Sequence, residues 1–275
     1  MLGSTDHHHR AGLARGDVVH LSAQELAALL PEIRRQSRDI GTGVGDPAIV
    51  QQAGGMVVLA PQMRVRSIVE DPLVIHEAAL TAAERRARVI AALEKVGLGE
   101  KYLQRYPHEL SGGQAQRVSI ARALALGPKV LVCDEAVAAL DGTVRRQVLE
   151  LLAREQRDTG LSIVFISHDL AVVRSISHRV LVMYLGRLVE SAESRTLFAS
   201  PRHPYTQALL GSIPVPDPVV APRRATLKGE VPSLFAPPAG CVFHPRCPHA
   251  AEICNEKVPA LRNIGGSRVA CHLAE

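Results

Sequence analysis

No stretch of this 275-residue chain approaches the roughly 18 to 20 uninterrupted apolar residues that a helix needs to cross a bilayer. The opening MLGSTDHHHRAGLARGD has no apolar core of the kind a secretion signal carries. Together these absences predict a cytoplasmic protein with no membrane span of its own. Nor is there a massed tract of one charge: 32 Lys and Arg are interspersed with 27 Asp and Glu, for a net charge of +5, and a nucleic-acid partner is not expected. The five cysteines include no C-x-x-C pair, which weighs against a zinc ribbon. No long heptad segment is present.

What is present suits a globular fold, because 47% hydrophobic residues can fill the core of one large domain or two smaller ones. His7, His8 and His9 read as part of a frayed terminus, with a metal site as the sharper alternative. SAQELAALLPEIRRQ, within 17–39, is helix-like with Pro31 interrupting it. From 41 to 62 the chain is rich in Gly and small residues and shows no sustained period. TAAERRARVIAALEKVG predicts a helix that opens on Thr81 and Glu84 at capping-box spacing and closes at Gly97. Val118, Ala121, Leu124 and Ala125 form one apolar stripe, so 112–126 should be helical. A buried strand KVLVCDE follows, then a helix over 144–157, a strand SIVFIS, a short helix after Asp169 and a strand RVLVMYLG. Strands separated by helices predict an α/β fold, a parallel sheet with helices on its faces.

LSGGQ, residues 110–114, stands at the N-terminus of the helix expected over 112–126. Gly112 and Gly113 allow close backbone approach, Ser111 and Gln114 add polar groups, and the helix start offers unpaired N–H groups to an anion. A plain turn is the alternative for Ser-Gly-Gly alone. The order and spacing from Leu110 to Asp169 resemble the ATPase subunits of ABC transporters, in which LSGGQ is the signature motif. On that resemblance VLVCDE is the Walker B strand, with Asp134 a Mg²⁺ ligand and Glu135 the general base for the attacking water. AALD resembles the D-loop, with Asp141 reaching across a dimer interface. Ala136 and Ala138 stand where the family commonly has Pro and Ser, a departure that loosens this loop. His168 matches the switch histidine that contacts the γ-phosphate.

Such a site also needs a phosphate loop, Gly, four residues, then Gly-Lys-Ser/Thr, and no Gly-Lys dipeptide occurs anywhere in the chain. GTGVGDPA has the glycines without the lysine. GDVVHLSAQELAALLPEIRRQ resembles a family segment lying well after that loop, so the resemblance implies an incomplete P-loop NTPase (ABC-type) domain whose first part, with its adenine-stacking aromatic, is missing. In the family the phosphate-loop strand lies beside the strand matching SIVFIS, and a bared sheet edge is expected there. GGMVV and LAPQMRVRSIVEDPL resemble flanks of the Q-loop with the intervening piece deleted, leaving Gln51, Gln52 and Gln62 as weak stand-ins for its glutamine.

The last third narrows the resemblance to oligopeptide and dipeptide importer ATPases, through SPRHPYTQALLGSIPVPDP and GCVFHPRCPHAAEICNEKVPAL. Cys241, Cys247, Cys254 and Cys271, with five, six and sixteen residues between successive members, suit four thiolates on one centre. A [4Fe–4S] cluster is favoured over Zn²⁺, with buried free thiols as the plain alternative and His244, His249 and His272 as substitute ligands. The expected organisation is a disordered N-terminus over 1–16, a truncated ATPase domain over 17–213, and a linker with the C-terminal module over 214–275. The resemblance implies ATP and Mg²⁺, a second ATPase subunit, transmembrane permease subunits and a place at the inner face of the cell membrane. Three readings follow: the energy-coupling subunit of a peptide importer, impaired in ATP hydrolysis; a non-catalytic partner giving its signature in trans to a complete ATPase; or an inactive remnant. The missing heptad segment weighs against DNA-repair relatives.

Overall fold

The computed structural model describes residues 18–19, 48–53, 56–57, 59–212, 227, 229–233 and 236–275. Strands β1 (Val18–Val19), β2 (Ala48–Ala53), β3 (Met56–Val57), β4 (Val130–Asp134) and β5 (Ser162–Ile166) form one sheet in the order β1-β5-β4-β2-β3. All neighbours in it are parallel except β2 and β3, which pair antiparallel. Both faces are covered. Leu131, Cys133, Ile163 and Phe165 look toward the helices, while Val132, Val164 and Ile166 pack on the other side with Leu181 and Met183. That double burial is why these strands read as unbroken apolar runs rather than alternating ones.

The helical side is built from α1 (Val65–His76), α2 (Ala82–Lys95), α3 (Gly112–Leu124) and α4 (Gly142–Thr159). The predicted start of α2 is met in full: Thr81 Oγ1 accepts from Glu84 N, and the Glu84 carboxylate accepts from Thr81 N at 2.8 Å. Gly97 has φ +72°, a conformation a Cβ would strain. Helix α1 carries Pro72 inside it, a residue that supplies no backbone N–H to the helix ladder.

Three expectations change. The stretch from 41 to 62, which looked interrupted, holds β2, whose Gln51 lies opposite Asp134 in the β4 ladder. The sheet edge at β5 is not bare, because Val18 and Val19 pair with Ile163 and Val164. The helix-like stretch SAQELAALLPEIRRQ lies outside the described residues, as does the linker VPDPVVAPRR. RVLVMYLG is a strand, β6 (Arg179–Tyr184), but it joins a second, antiparallel sheet of order β6-β7-β9-β8. It turns back into β7 (Arg187–Glu193) through Leu185 and Gly186, both with positive φ, the conformation that matches a tight hairpin to strand twist.

Helices α5 (Leu170–Ile176), α6 (Ser194–Ala199) and α7 (Pro204–Gly211) flank this sheet. The C-terminal segment supplies α8 (Glu252–Glu256) and the hairpin β8 (Arg262–Ile264) and β9 (Ser267–Val269), and β9 pairs with β7. Cys241, Val242, Phe243 and Cys254 share one buried cluster with Val180, Tyr184, Val189 and Leu197. Among the described residues, the tail therefore packs into the same body as β6 and β7.

Candidate functional site

The carboxyl ends of β4 and β5 gather the first group of candidates. Asp134 ends β4 and is 3% exposed. The next residue, Glu135, has φ +51°, the left-handed region that side chains other than glycine rarely take. Its N–H is held by the Ile166 carbonyl at 3.0 Å, so the turn begins while pairing with β5 is still in force. This places Glu135 Oε1 2.9 Å from His168 Nδ1. Glu135 Oε2 is buried with no protein partner, the position of an oxygen left free to accept a proton. The His168 ring is 77% exposed and open to a ligand.

The second group sits at the start of two helices. Ser111 caps α3: its Oγ accepts from Gln114 N at 3.3 Å, and Gln114 Oε1 accepts from Ser111 N at 3.0 Å. Gln114 Nε2 donates to the Tyr102 hydroxyl. Gly112 is exposed, and a Cβ there would meet nothing. At Gly113 a Cβ would collide with Val144 in the first turn of α4, so the helices approach closely at that point. Asp141 caps α4, its Oδ1 accepting from Thr143 N and Val144 N, each at 3.0 Å. Its carboxylate thus faces its own helix. Glu135 and His168 are brought together, while Ser111, Gly113 and Asp141 form a separate rim linked by the Gly113–Val144 contact.

One residue escaped sequence reasoning. Arg145 donates to Asp169 Oδ2 at 2.9 Å and to the Leu140 carbonyl at 3.2 Å, tying the loop before Asp141 to the residue after His168. An arginine in the first turn of a helix carries no local signal for such a bridge.

Along β6 lies a cavity of about 470 Å³, lined largely by apolar side chains and bordered by Glu135 and His168. No lysine precedes Lys95 in the sequence, and Lys129 stands at the opposite end of β4 from Asp134.

In the tail all four cysteines are free, with Cys241, Cys254 and Cys271 buried. Burial raises the Cys247 thiol pKa, and the neighbouring Cys271, Cys241 and Cys254 raise it further. Cys241 is raised by burial first, and Cys254 and Cys271 also raise it. The donor chemistry suits a soft metal, yet among the described residues no three His, Cys, Asp or Glu side chains stand close enough to hold one. His244 Nδ1 and His272 Nε2 contact the carbonyls of Cys241 and Lys257, at 2.9 and 2.8 Å, and are engaged there. Cys133, buried in the sheet, has its thiol pushed up to about 12 and is no nucleophile.

Comparison with known proteins agrees with this geometry. A family profile described as "ABC transporter" matches residues 19–138, and one described as "Oligopeptide/dipeptide transporter, C-terminal region" matches 189–254. The chain is 43% identical over 265 residues to the oligopeptide transport ATP-binding protein OppF of Escherichia coli, covering 94% of this chain and 77% of that one. It is 51% identical to YkfD of Bacillus subtilis and 49% identical to the dipeptide transport ATP-binding protein DppF of Haemophilus influenzae, in each case over 78% of this chain. It spans 66% and 65% of their lengths, just under two thirds. Among solved structures, MJ0796, described as a dimeric bacterial ABC transporter cassette, superposes with a TM-score of 0.53 at 25% identity, covering 67% of this chain and 88% of that one. Among the described residues no helix is long and apolar enough to cross a membrane.

Proposed function

Because the chain belongs to the ATP-binding proteins of oligopeptide and dipeptide ABC transporters, we propose that it is an energy-coupling subunit of a peptide importer, impaired in hydrolysing ATP at its own site. One combination carries this reading: Glu135 and His168 stand paired at 2.9 Å, while no lysine occurs before Lys95 to bridge the phosphates. Glu135 Oε2 would take the proton of the attacking water and His168 would contact the terminal phosphate, with Asp134 holding Mg²⁺, which supplies charge neutralisation when bound. Phosphoryl transfer depends mostly on positioning, and the cationic cradle is what this sequence lacks.

Ser111, Gly112, Gly113 and Gln114 would cover a nucleotide bound to a second ATPase subunit. The start of α3 supports this role because its Ser111–Gln114 capping box defines a helix N-terminus, and Gly112 and Gly113 in its first turn carry no side chain to keep a ligand from the backbone. Asp141 would contribute at the same interface from the first turn of α4. The remaining partners would be transmembrane permease subunits at the inner face of the cell membrane.

The test is nucleotide binding and turnover by the isolated chain and by its mixture with a complete relative. The expected result is weak ATP binding alone, background turnover unchanged by Glu135→Gln, and nucleotide capture only in the mixture. Micromolar Mg²⁺-dependent ATP binding with Glu135-dependent hydrolysis by the isolated chain would overturn the impairment.

For the tail we propose that Cys241, Cys247, Cys254 and Cys271 hold a [4Fe–4S] cluster, or Zn²⁺ in its place. Support comes from four free thiols in one module, three of them buried, which would have to draw closer than they stand here to share a metal. Anaerobic purification followed by iron, sulfide and zinc assays tests it, with the metal lost on Cys247→Ser; finding neither metal in the unaltered chain refutes it.

A further inference from the structure

A recess of about 520 Å³ lies where α5, β6, β7 and α6 meet, and no residue lines both it and the cavity beside Glu135 and His168. Three arginines from different elements border it: Arg174 in the last turn of α5, Arg179 at the start of β6 and Arg195 in the first turn of α6. His178 and Glu193 complete its polar rim. Ser194 N donates to the His178 carbonyl at 2.8 Å across the recess lining, and the Arg174 guanidinium lies 5.7 Å from the ring centroid of Phe198 in α6.

Arg179 and Glu193 are direct partners in the β6–β7 register, yet no ion pair joins them, and none engages Arg174 or Arg195 among the described residues. Three arginines thus border one recess against a single carboxylate. Like charges gathered without counter-charge repel, and an anion of two charges relieves that repulsion. Planar guanidinium groups match the oxygens of a phosphate, to which they bond in pairs.

We propose that this recess binds a phosphate group, either free or as the phosphate ester of an anionic lipid headgroup. The site is independent of the nucleotide-binding reading: β6 carries Arg179 at one end and Tyr184 at the other, roughly 16 Å apart along an extended strand.

The test uses the full chain. Calorimetric titration with inorganic phosphate, against chloride at matched ionic strength, is combined with flotation on phosphatidylcholine vesicles with and without phosphatidic acid. Binding is expected to weaken about tenfold on Arg195→Gln, an exposed position that does not threaten folding, and likewise on Arg179→Gln, as loss of one charge-assisted bond implies. It should persist in His168→Ala. Phosphate binding with this pattern identifies the free anion, and vesicle binding alone with this pattern identifies the lipid headgroup. The proposal fails if chloride acts equally, if neither probe binds, or if binding is lost on His168→Ala while both arginine variants retain it.

Discussion

His203 offers a quantitative test of how the second sheet and the tail are packed. Its ring is 1% exposed, beside Phe243, and burial pushes its pKa down from 6.5 to about 4. The folded chain therefore holds this histidine neutral over a range in which the unfolded chain protonates it. A histidine depressed in this way contributes stability that is present above its unfolded pKa and lost as pH falls toward the folded one. Between pH 7 and pH 5 the loss works out at about 2 kcal/mol, approaching about 3 kcal/mol near pH 4. His203→Asn removes the titration and retains a side chain able to cap α7, where His203 Nδ1 now accepts from Tyr205 N. The assay is urea unfolding at pH 7 and pH 5 for both proteins. The variant should be less stable at pH 7 but lose about 2 kcal/mol less on acidification. An identical pH dependence in the two proteins would refute the burial of a neutral His203 and the packing of Phe243 against it.

Two further substitutions test other parts of the fold. Gly113→Ala places a methyl group against Val144 and should cost about 1–3 kcal/mol in urea unfolding by forcing α3 and α4 apart, while Gly112→Ala, with open space around it, should cost less than about 1 kcal/mol; equal losses would contradict the close approach. Thr81→Ala removes the side-chain half of the α2 capping box and should cost about 1 kcal/mol by the same measurement, and no change would mean that the cap is not formed in solution.

The legibility of the site followed the length scale of each interaction. LSGGQ and VLVCDE could be placed on a helix start and a strand end because capping and apolar runs involve residues a few positions apart. The bridge from Arg145 to Asp169 spans 24 positions and left no local trace. β2 was hidden because AIVQQA is short, shows no apolar/polar alternation and lies between Asp46-Pro47 and Gly54-Gly55.

From the order of residues alone came the absence of a Gly-Lys phosphate loop, the identity of Asp134, Glu135 and His168 as candidates, and the boundaries of α2 and α3 to within two residues. Only the tertiary structure decided that β6 leaves the parallel sheet for an antiparallel one, and that the tail hairpin completes that second sheet. It also brought Glu135 and His168 within 2.9 Å, and Arg174, Arg179 and Arg195 around one recess. Helix caps and apolar periods are settled by neighbours along the chain, whereas strand partners, buried charge and shared cavities depend on contacts between distant segments, which no local pattern specifies.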